Sequence, residues 1–151
     1  MGNGAVAETA MEIVERLVAL EGPLLPILHA VQDQFGYLPP ACVPVIAKGL
    51  NLSRAEVQGV ISFYPLFRTQ PPGRRIVAIC RAEACQAVGG AALEAHAQSA
   101  LGIGFGETSA DGEVTLEPVY CLGNCACAPS MTVDGVLHAR VDAKRFDELM
   151  G

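Results

Sequence analysis

The sequence predicts a chain of the α/β (α+β) class in two parts: an N-terminal helical bundle, residues 1–72, and a small domain of strands and helices, residues 73–151. Apolar residues recur at helical spacing up to about residue 68, whereas a β-branched run and alternating segments follow. Between the two patterns lies a segment, 69–75, with two prolines and a glycine, which cannot continue a helix.

Four short helices account for the N-terminal part. The first is amphipathic over residues 4–20, the second closes at Gly36, a residue suited to a left-handed cap, and the third fits residues 40–50. The fourth begins with a capping box, in which the Ser53 hydroxyl accepts from the Glu56 amide and the Glu56 carboxylate reaches back. The sequence therefore predicts that these four helices pack together as a bundle.

The C-terminal part alternates between strand and helix patterns. The predicted elements, in order, are a buried strand (75–79), a helix (84–101), a loop (102–112), a strand (113–120), a hairpin (131–140) and a helix (142–150). Gly89-Gly90 weakens the predicted helix 84–101 by about 1 kcal/mol per glycine. Asp134-Gly135 is a preferred turn for the hairpin. The order β-α-β-β-β-α is compatible with a thioredoxin-like sheet.

Composition and charge exclude several classes of protein. The 151 residues are 51% hydrophobic and 17% charged, so the chain should fold rather than remain disordered. The net charge of -6 would repel a polyanion, so no nucleic acid is expected as a partner. No signal-peptide pattern and no stretch of about 18 apolar residues is found, which predicts a cytoplasmic location without direct membrane insertion.

Five of the six cysteines follow residue 79, and four of them form the pattern C-x4-C, 35 residues, C-x3-C. They are Cys80, Cys85, Cys121 and Cys125. In a reducing compartment, clustered thiolates usually bind metal, and two spaced pairs can give each iron of a [2Fe–2S] cluster two ligands. Backbone amides beside each pair are expected to donate to the anionic cluster, with Arg81 as a nearby cation.

The cysteine spacing also fits other types of protein. Structural zinc takes four cysteines in two knuckles, so a zinc-stabilised interaction module is one alternative. An iron–sulfur DNA-binding sensor is another, because residues 53–64 could imitate a DNA-reading helix, although the net charge argues against it. Cys127 adds a thiol that competes for the second iron, whereas Cys42, on an apolar helix, is expected to be core.

Four stretches of the sequence carry a resemblance to a known family. They are Cys80-Arg-Ala-Glu-Ala-Cys85, Cys121-Leu-Gly-Asn-Cys125-Ala-Cys-Ala-Pro129, Leu28-His-Ala-Val-Gln-Asp-Gln-Phe-Gly-Tyr-Leu-Pro39 and Leu52-Ser-Arg-Ala-Glu-Val-Gln-Gly-Val-Ile-Ser-Phe-Tyr64. From about residue 10 to 150 the chain resembles the thioredoxin-like [2Fe–2S] ferredoxin subunits of respiratory complex I, bidirectional hydrogenases and NAD-dependent formate dehydrogenases. Within that family, the short N-terminus and residues 119–140 look most like the gamma subunit of the molybdenum-containing, NAD-dependent formate dehydrogenase.

The resemblance implies the ligand set and the fold. It implies that Cys80, Cys85, Cys121 and Cys125 bind one [2Fe–2S] cluster in a thioredoxin-like domain and that Cys127 is not a ligand. Thioredoxin-like folds often place a cis proline before a strand, which is the position of Pro129. The helical bundle is expected to dock on a partner.

The resemblance also implies partners. A larger subunit would bind FMN and NAD, and further iron–sulfur or molybdenum subunits would complete the complex. The chain itself shows no catalytic arrangement of side chains, so the enzyme reaction would belong to the complex. That complex is expected to be a formate dehydrogenase, and the alternatives are NADH:quinone oxidoreductase (complex I) and an NAD-linked hydrogenase.

Overall fold

A computed structural model of the protein describes residues 3–151, and the chain divides into two compact units between Pro71 and Pro72. The described part of the N-terminal unit consists of helices and loops. The C-terminal unit contains one five-stranded sheet with helices.

Four helices form the N-terminal unit within the described residues. They are α1 (Asn3–Leu17), α2 (Leu24–Phe35), α3 (Cys42–Gly49) and α4 (Arg54–Phe63). Gly36 ends α2 at a φ of 80°, and its amide donates to the Gln32 carbonyl, as the predicted left-handed cap requires. The capping box before α4 is also confirmed, because Ser53 and Glu56 each donate a backbone amide to the other's side chain, at 2.7 and 3.1 Å.

The core of this unit is apolar and includes one polar side chain that is fully satisfied. Gln32, 9% exposed, donates to the Leu66 carbonyl at 2.8 Å and accepts from the Arg68 amide at 2.7 Å, which ties the segment after α4 to α2. Cys42 is 0% exposed in the same core, as predicted. Burial raises the pKa of the Cys42 thiol to about 11, so it stays protonated at neutral pH.

The C-terminal unit is built on a mixed sheet. Its elements are β1 (Arg75–Cys80), α5 (Glu83–Ala87), α6 (Gly90–Leu101), β2 (Glu107–Thr108), β3 (Val114–Val119), β4 (Met131–Val133), β5 (Val136–His138) and α7 (Ala143–Met150). The strand order is β2-β3-β1-β4-β5; β1 and β3 are parallel, and the other neighbours are antiparallel. This arrangement confirms the predicted α+β class with a thioredoxin-like domain.

The parallel pairing of β1 and β3 places the cysteines. Cys80, the last residue of β1, is in register with Val119, the last residue of β3, and Cys121 follows two residues later. Because parallel strands end at the same edge of a sheet, both cysteine segments start from that edge. The Arg81 amide donates to the Val119 carbonyl at 2.8 Å and extends this pairing by one residue.

Two predicted elements differ from the structure. The helix predicted over 84–101 is two helices, α5 and α6, because Gly89 adopts a left-handed φ of 103° between them. The loop predicted over 102–112 contains the short strand β2, which pairs with β3. Both residues of β2 are exposed, so the strand has no apolar alternation by which the sequence could have revealed it.

The end of the chain follows the prediction. The hairpin of β4 and β5 turns at Asp134 and Gly135, which both have positive φ, at 51° and 81°. Asp142 caps α7 by accepting from the Arg145 amide at 2.8 Å, and Phe146 is buried in the core. None of the helices in residues 3–151 combines the length and the apolar character needed to cross a membrane.

Candidate metal centre

The four predicted ligand cysteines lie at the edge where β1 and β3 end. Cys80 closes β1 and Cys85 lies in α5, and both are buried, at 3% and 2% exposure. Cys121 lies two residues after β3, Cys125 begins a 3-10 turn, and both are exposed. All are free thiols. The site therefore has an inner pair and an outer pair.

The outer pair is brought together by a tightly turned loop. The sulfurs of Cys121 and Cys125 are 3.6 Å apart, and the Gly123 amide donates to the Cys121 sulfur at 3.4 Å. Cys121 has a φ of 95°, a left-handed conformation that costs a residue with a side chain about 1–3 kcal/mol. Such strain is typical of residues held in place at a functional site.

Backbone amides from both cysteine segments reach the Cys80 sulfur. Burial raises the pKa of Cys80, but hydrogen bonds from three backbone amides and from the Cys85 thiol outweigh it and lower the pKa below its ordinary value. The amides are those of Ala82, Cys121 and Leu122. Because two of them belong to the outer loop, that loop lies directly against the inner pair.

The remaining thiols are also electrostatically linked. The pKa of Cys85 is raised by burial and by the neighbouring Cys80 and Cys125, while the Ser130 amide opposes the rise. The pKa of Cys125 is raised by its hydrogen bond to Cys121 and the charge there, with a smaller contribution from Cys80. The shifts of Cys80, Cys85 and Cys125 thus depend on one another.

The donor set fits a two-iron cluster. Among the residues that the structure describes, no group of three or more His, Cys, Asp or Glu side chains is arranged around a single point where one metal ion would bind. The sulfurs come instead as two pairs, Cys80 with Cys85 and Cys121 with Cys125. A [2Fe–2S] cluster needs two thiolates at each iron and amide donors toward its sulfurs, and both are present here.

Cys127 lies beside this set, at the end of the 3-10 turn. Its side chain is half-buried, and its carbonyl accepts from the Arg140 amide at 2.8 Å and from the Ser130 hydroxyl at 3.3 Å. The peptide bond between Ala128 and Pro129 is cis, as the resemblance implied.

Ser130 is a residue that the sequence did not single out. It is 1% exposed, and its hydroxyl accepts from the Asn124 amide group at 3.0 Å. Its carbonyl accepts from the Cys80 amide at 3.1 Å, and its own amide donates toward Cys85. It therefore joins the outer loop to the inner pair. The signal in the sequence is slight: a small polar residue directly before the short strand β4.

Arg81, which the sequence suggested as a cation near the cluster, is paired with another charge. Its Nε donates to a Glu94 carboxylate oxygen at 3.0 Å, and its guanidinium lies 4.9 Å from the centre of the Phe105 ring. The charge is therefore paired. A carboxylate 13 residues away on a separate helix gave no local sequence pattern to indicate this pairing.

Comparison with known proteins agrees with the family resemblance seen in the sequence. Residues 10–151 match the model of the thioredoxin-like [2Fe–2S] ferredoxin family. A subunit of the NADH-quinone oxidoreductase of Pseudomonas aeruginosa is 40% identical over 114 residues, which are 76% of this chain and 69% of that protein. The corresponding protein of Escherichia coli K12, which carries the same name, is 35% identical over 123 residues, 82% of this chain and 74% of that protein.

A solved structure shows the same fold. The NAD+-reducing [NiFe]-hydrogenase in the air-oxidized state contains a chain that matches with a TM-score of 0.69 and 27% identity over 82% of this chain. The match spans about a fifth of the hydrogenase chain, 22% of its length.

The paired thiols at the end of two parallel strands define an iron–sulfur electron-transfer domain. With the family match over nearly the whole length, the chain belongs to the thioredoxin-like [2Fe–2S] ferredoxin family. Its cofactor is a [2Fe–2S] cluster.

Proposed function

We propose that this chain is the [2Fe–2S] electron-transfer subunit of an NAD-linked oxidoreductase complex. The observation that carries the proposal is the four-cysteine site, in which two cysteines are buried and two are exposed, so that a cluster held there has one side at the surface. Single electrons pass over short distances, so the exposed side is where a redox partner approaches. Relatives named as subunits of NADH-quinone oxidoreductase support this role.

The ligands that we propose are Cys80 and Cys85 for the inner iron and Cys121 and Cys125 for the outer iron. Cys127 is not a ligand. Amides that donate to the Cys80 and Cys121 sulfurs supply positive dipoles where negative charge increases on reduction.

We propose that the two predicted domains have different roles. Residues 73–151 hold the cluster, and residues 1–72 dock on a flavin subunit that binds FMN and NAD. Phe63 and Leu66 of the N-terminal unit support this docking role, because 76% and 67% of their surfaces are exposed. A flavin is needed at such a junction, because NAD accepts a hydride whereas iron–sulfur clusters carry single electrons.

For the parent complex we propose a cytoplasmic, molybdenum-containing, NAD-dependent formate dehydrogenase, in which this chain is the gamma subunit. The resemblance over residues 119–140 supports it. Two other parents carry an equivalent subunit: NADH:quinone oxidoreductase, which the named relatives favour, and an NAD-linked hydrogenase, which the structural neighbour favours.

Anaerobic purification tests the cluster and its ligands together. We expect two irons and two sulfides per chain, a visible absorption band and an EPR signal after reduction with dithionite. Cys125→Ser should lose the signal or change it, whereas Cys127→Ser and the buried control Cys42→Ala should keep it. A colourless chain with one zinc would overturn the cluster site, and loss of the signal only in Cys127→Ser would overturn the ligand set.

Purification of the tagged chain from its native host tests the parent complex. Co-purification of molybdenum and of formate-dependent NAD reduction is the expected result. Quinone-dependent NADH oxidation or hydrogen-dependent NAD reduction would assign the chain to one of the other parents instead.

A further inference from the structure

The carboxylate of Glu94 holds the residues that directly follow the two inner cysteines. Glu94 lies on α6, and one carboxylate oxygen accepts from Arg81, the neighbour of Cys80. The other oxygen accepts from the side-chain amide of Gln86, the neighbour of Cys85. One side chain thus connects the end of β1 to α5 at the point where each carries a cysteine.

These contacts differ from those of an ordinary surface ion pair. The Glu94 side chain is 12% exposed, and its partner Arg81 also stacks on Phe105. A partly buried carboxylate with one donor at each oxygen forms charge-assisted hydrogen bonds, which are stronger and more directional than fully exposed pairs. By contrast, both members of the Arg145–Glu148 pair of the same unit are about half exposed, at 51% and 49%.

The helix that carries Glu94 is itself fixed against Cys85. Gly90, the first residue of α6, lies so close to α5 that a Cβ atom there would be 2.7 Å from the Cys85 carbonyl oxygen. Glu94 follows one turn later on the same helix. Its carboxylate is therefore held at a set position relative to the inner pair.

We infer that Glu94 is a positioning residue for the inner half of the cluster site: it fixes the spacing of Cys80 and Cys85 through Arg81 and Gln86. The inference rests on the proposed assignment of these two cysteines as ligands. Glu94 acts on the ligands through their neighbours and does not itself bind iron. Removal of such supporting contacts typically weakens a metal site roughly 10- to 100-fold.

The test measures how fast the folded holoprotein loses its cluster to an iron chelator, by bleaching of the visible band under anaerobic conditions. Glu94→Ala should accelerate the loss about 10-fold and change the EPR spectrum of the reduced cluster. Glu94→Gln should recover much of the wild-type rate, because its side-chain oxygen still accepts from one of the two donors. The control Glu148→Ala removes an ion pair elsewhere in the unit and should leave both rate and spectrum unchanged.

Two outcomes would overturn the inference. One is a Glu94→Ala protein with the wild-type rate of loss. The other is a Glu94→Ala protein with a lower unfolding temperature and faster loss of the cluster but an unchanged EPR spectrum, which would mean that Glu94 only braces α6. If Glu94→Ala does not fold, Arg81→Ala and Gln86→Ala each remove one contact; both should accelerate the loss, and wild-type rates in both would refute the inference.

The ligand assignment is tested separately. Cys80→Ala and Cys85→Ala should each prevent assembly of a normal cluster. If both variants retained it, the ligand assignment would fail. If both lost it while the Glu94 variants behaved like wild type, the role of Glu94 alone would fail.

Discussion

Substitution of Gly90 by alanine tests how closely α6 presses on the inner cysteine pair. An added Cβ would lie 2.7 Å from the Cys85 carbonyl oxygen and 2.8 Å from its carbonyl carbon. Ordinary contact begins at 3.4 Å, so the two segments must separate by about 0.7 Å. The two nearest obstructing atoms belong to the Cys85 backbone, so rotation of a side chain cannot relieve those contacts; the third, Gln86 Nε2 at 2.9 Å, belongs to a side chain.

The magnitude follows from two opposing effects. Overpacking of this kind costs about 1–3 kcal/mol, while alanine is favoured over glycine inside a helix by about 1 kcal/mol. We expect the free energy of unfolding to fall by up to about 2 kcal/mol. In a chain of about this size each kcal/mol lowers the unfolding temperature by roughly 2–4 °C. The displaced Cys85 should also release the cluster faster.

The assay is anaerobic thermal unfolding followed by circular dichroism, together with the rate at which a chelator bleaches the visible band. Gly59→Ala is the matched control: this glycine lies inside α4, and nothing is within 4 Å of the added Cβ. That variant should be more stable by about 0.5–1 kcal/mol. A Gly90→Ala protein that is equally stabilised and retains its cluster like wild type would refute the argument.

Three further predictions follow from other contacts. Ser130→Ala leaves the Asn124 amide group without its buried partner and should lower the free energy of unfolding by about 1–3 kcal/mol, as measured by chemical denaturation. Ser130→Thr should recover part of this loss. An unchanged denaturation midpoint in Ser130→Ala would contradict the prediction. Burial raises the Cys42 pKa from 9.0 to about 11, so the unfolded state loses its proton first; the contribution of Cys42 to stability should be constant below pH 9.0 and fall by on the order of 2 kcal/mol up to about pH 11. Cys42→Ala should reduce that decline in stability, and an equal decline in the variant would show that Cys42 does not cause it. Native Cys42 should also resist iodoacetamide at neutral pH, as mass spectrometry would show, because it is 0% exposed; rapid labelling would count against the described core.

Much of the fold follows from local signals in the sequence. The capping box at Ser53, the Asp134-Gly135 turn and the cap at Gly36 each depend on residues within a few positions of one another. The sequence therefore predicts where elements begin and end. It failed at Gly89, because a glycine can continue a helix at a small cost or interrupt it, and only the packing of α6 on Cys85 decides which.

The sequence predicts which sulfurs form the site but not the contacts that support them. The spacing of the cysteines suggests their chemistry, because few other residues bind iron in this pattern. Glu94 and Ser130 support the site from other segments of the chain. Their contacts depend on how α6 and β4 pack, so no local pattern marks them.

With the ligand set that we propose, the parallel pairing of β1 with β3 makes binding of the cluster depend on folding of the sheet. Cys80 and Cys121 are far apart in the chain, and the register between the strand ends brings their segments together. A chain in which these strands have not yet paired presents only two thiols at a time, which cannot hold both irons. Stable binding of the cluster therefore requires that β1 and β3 have paired, and the visible colour of the holoprotein reports this pairing.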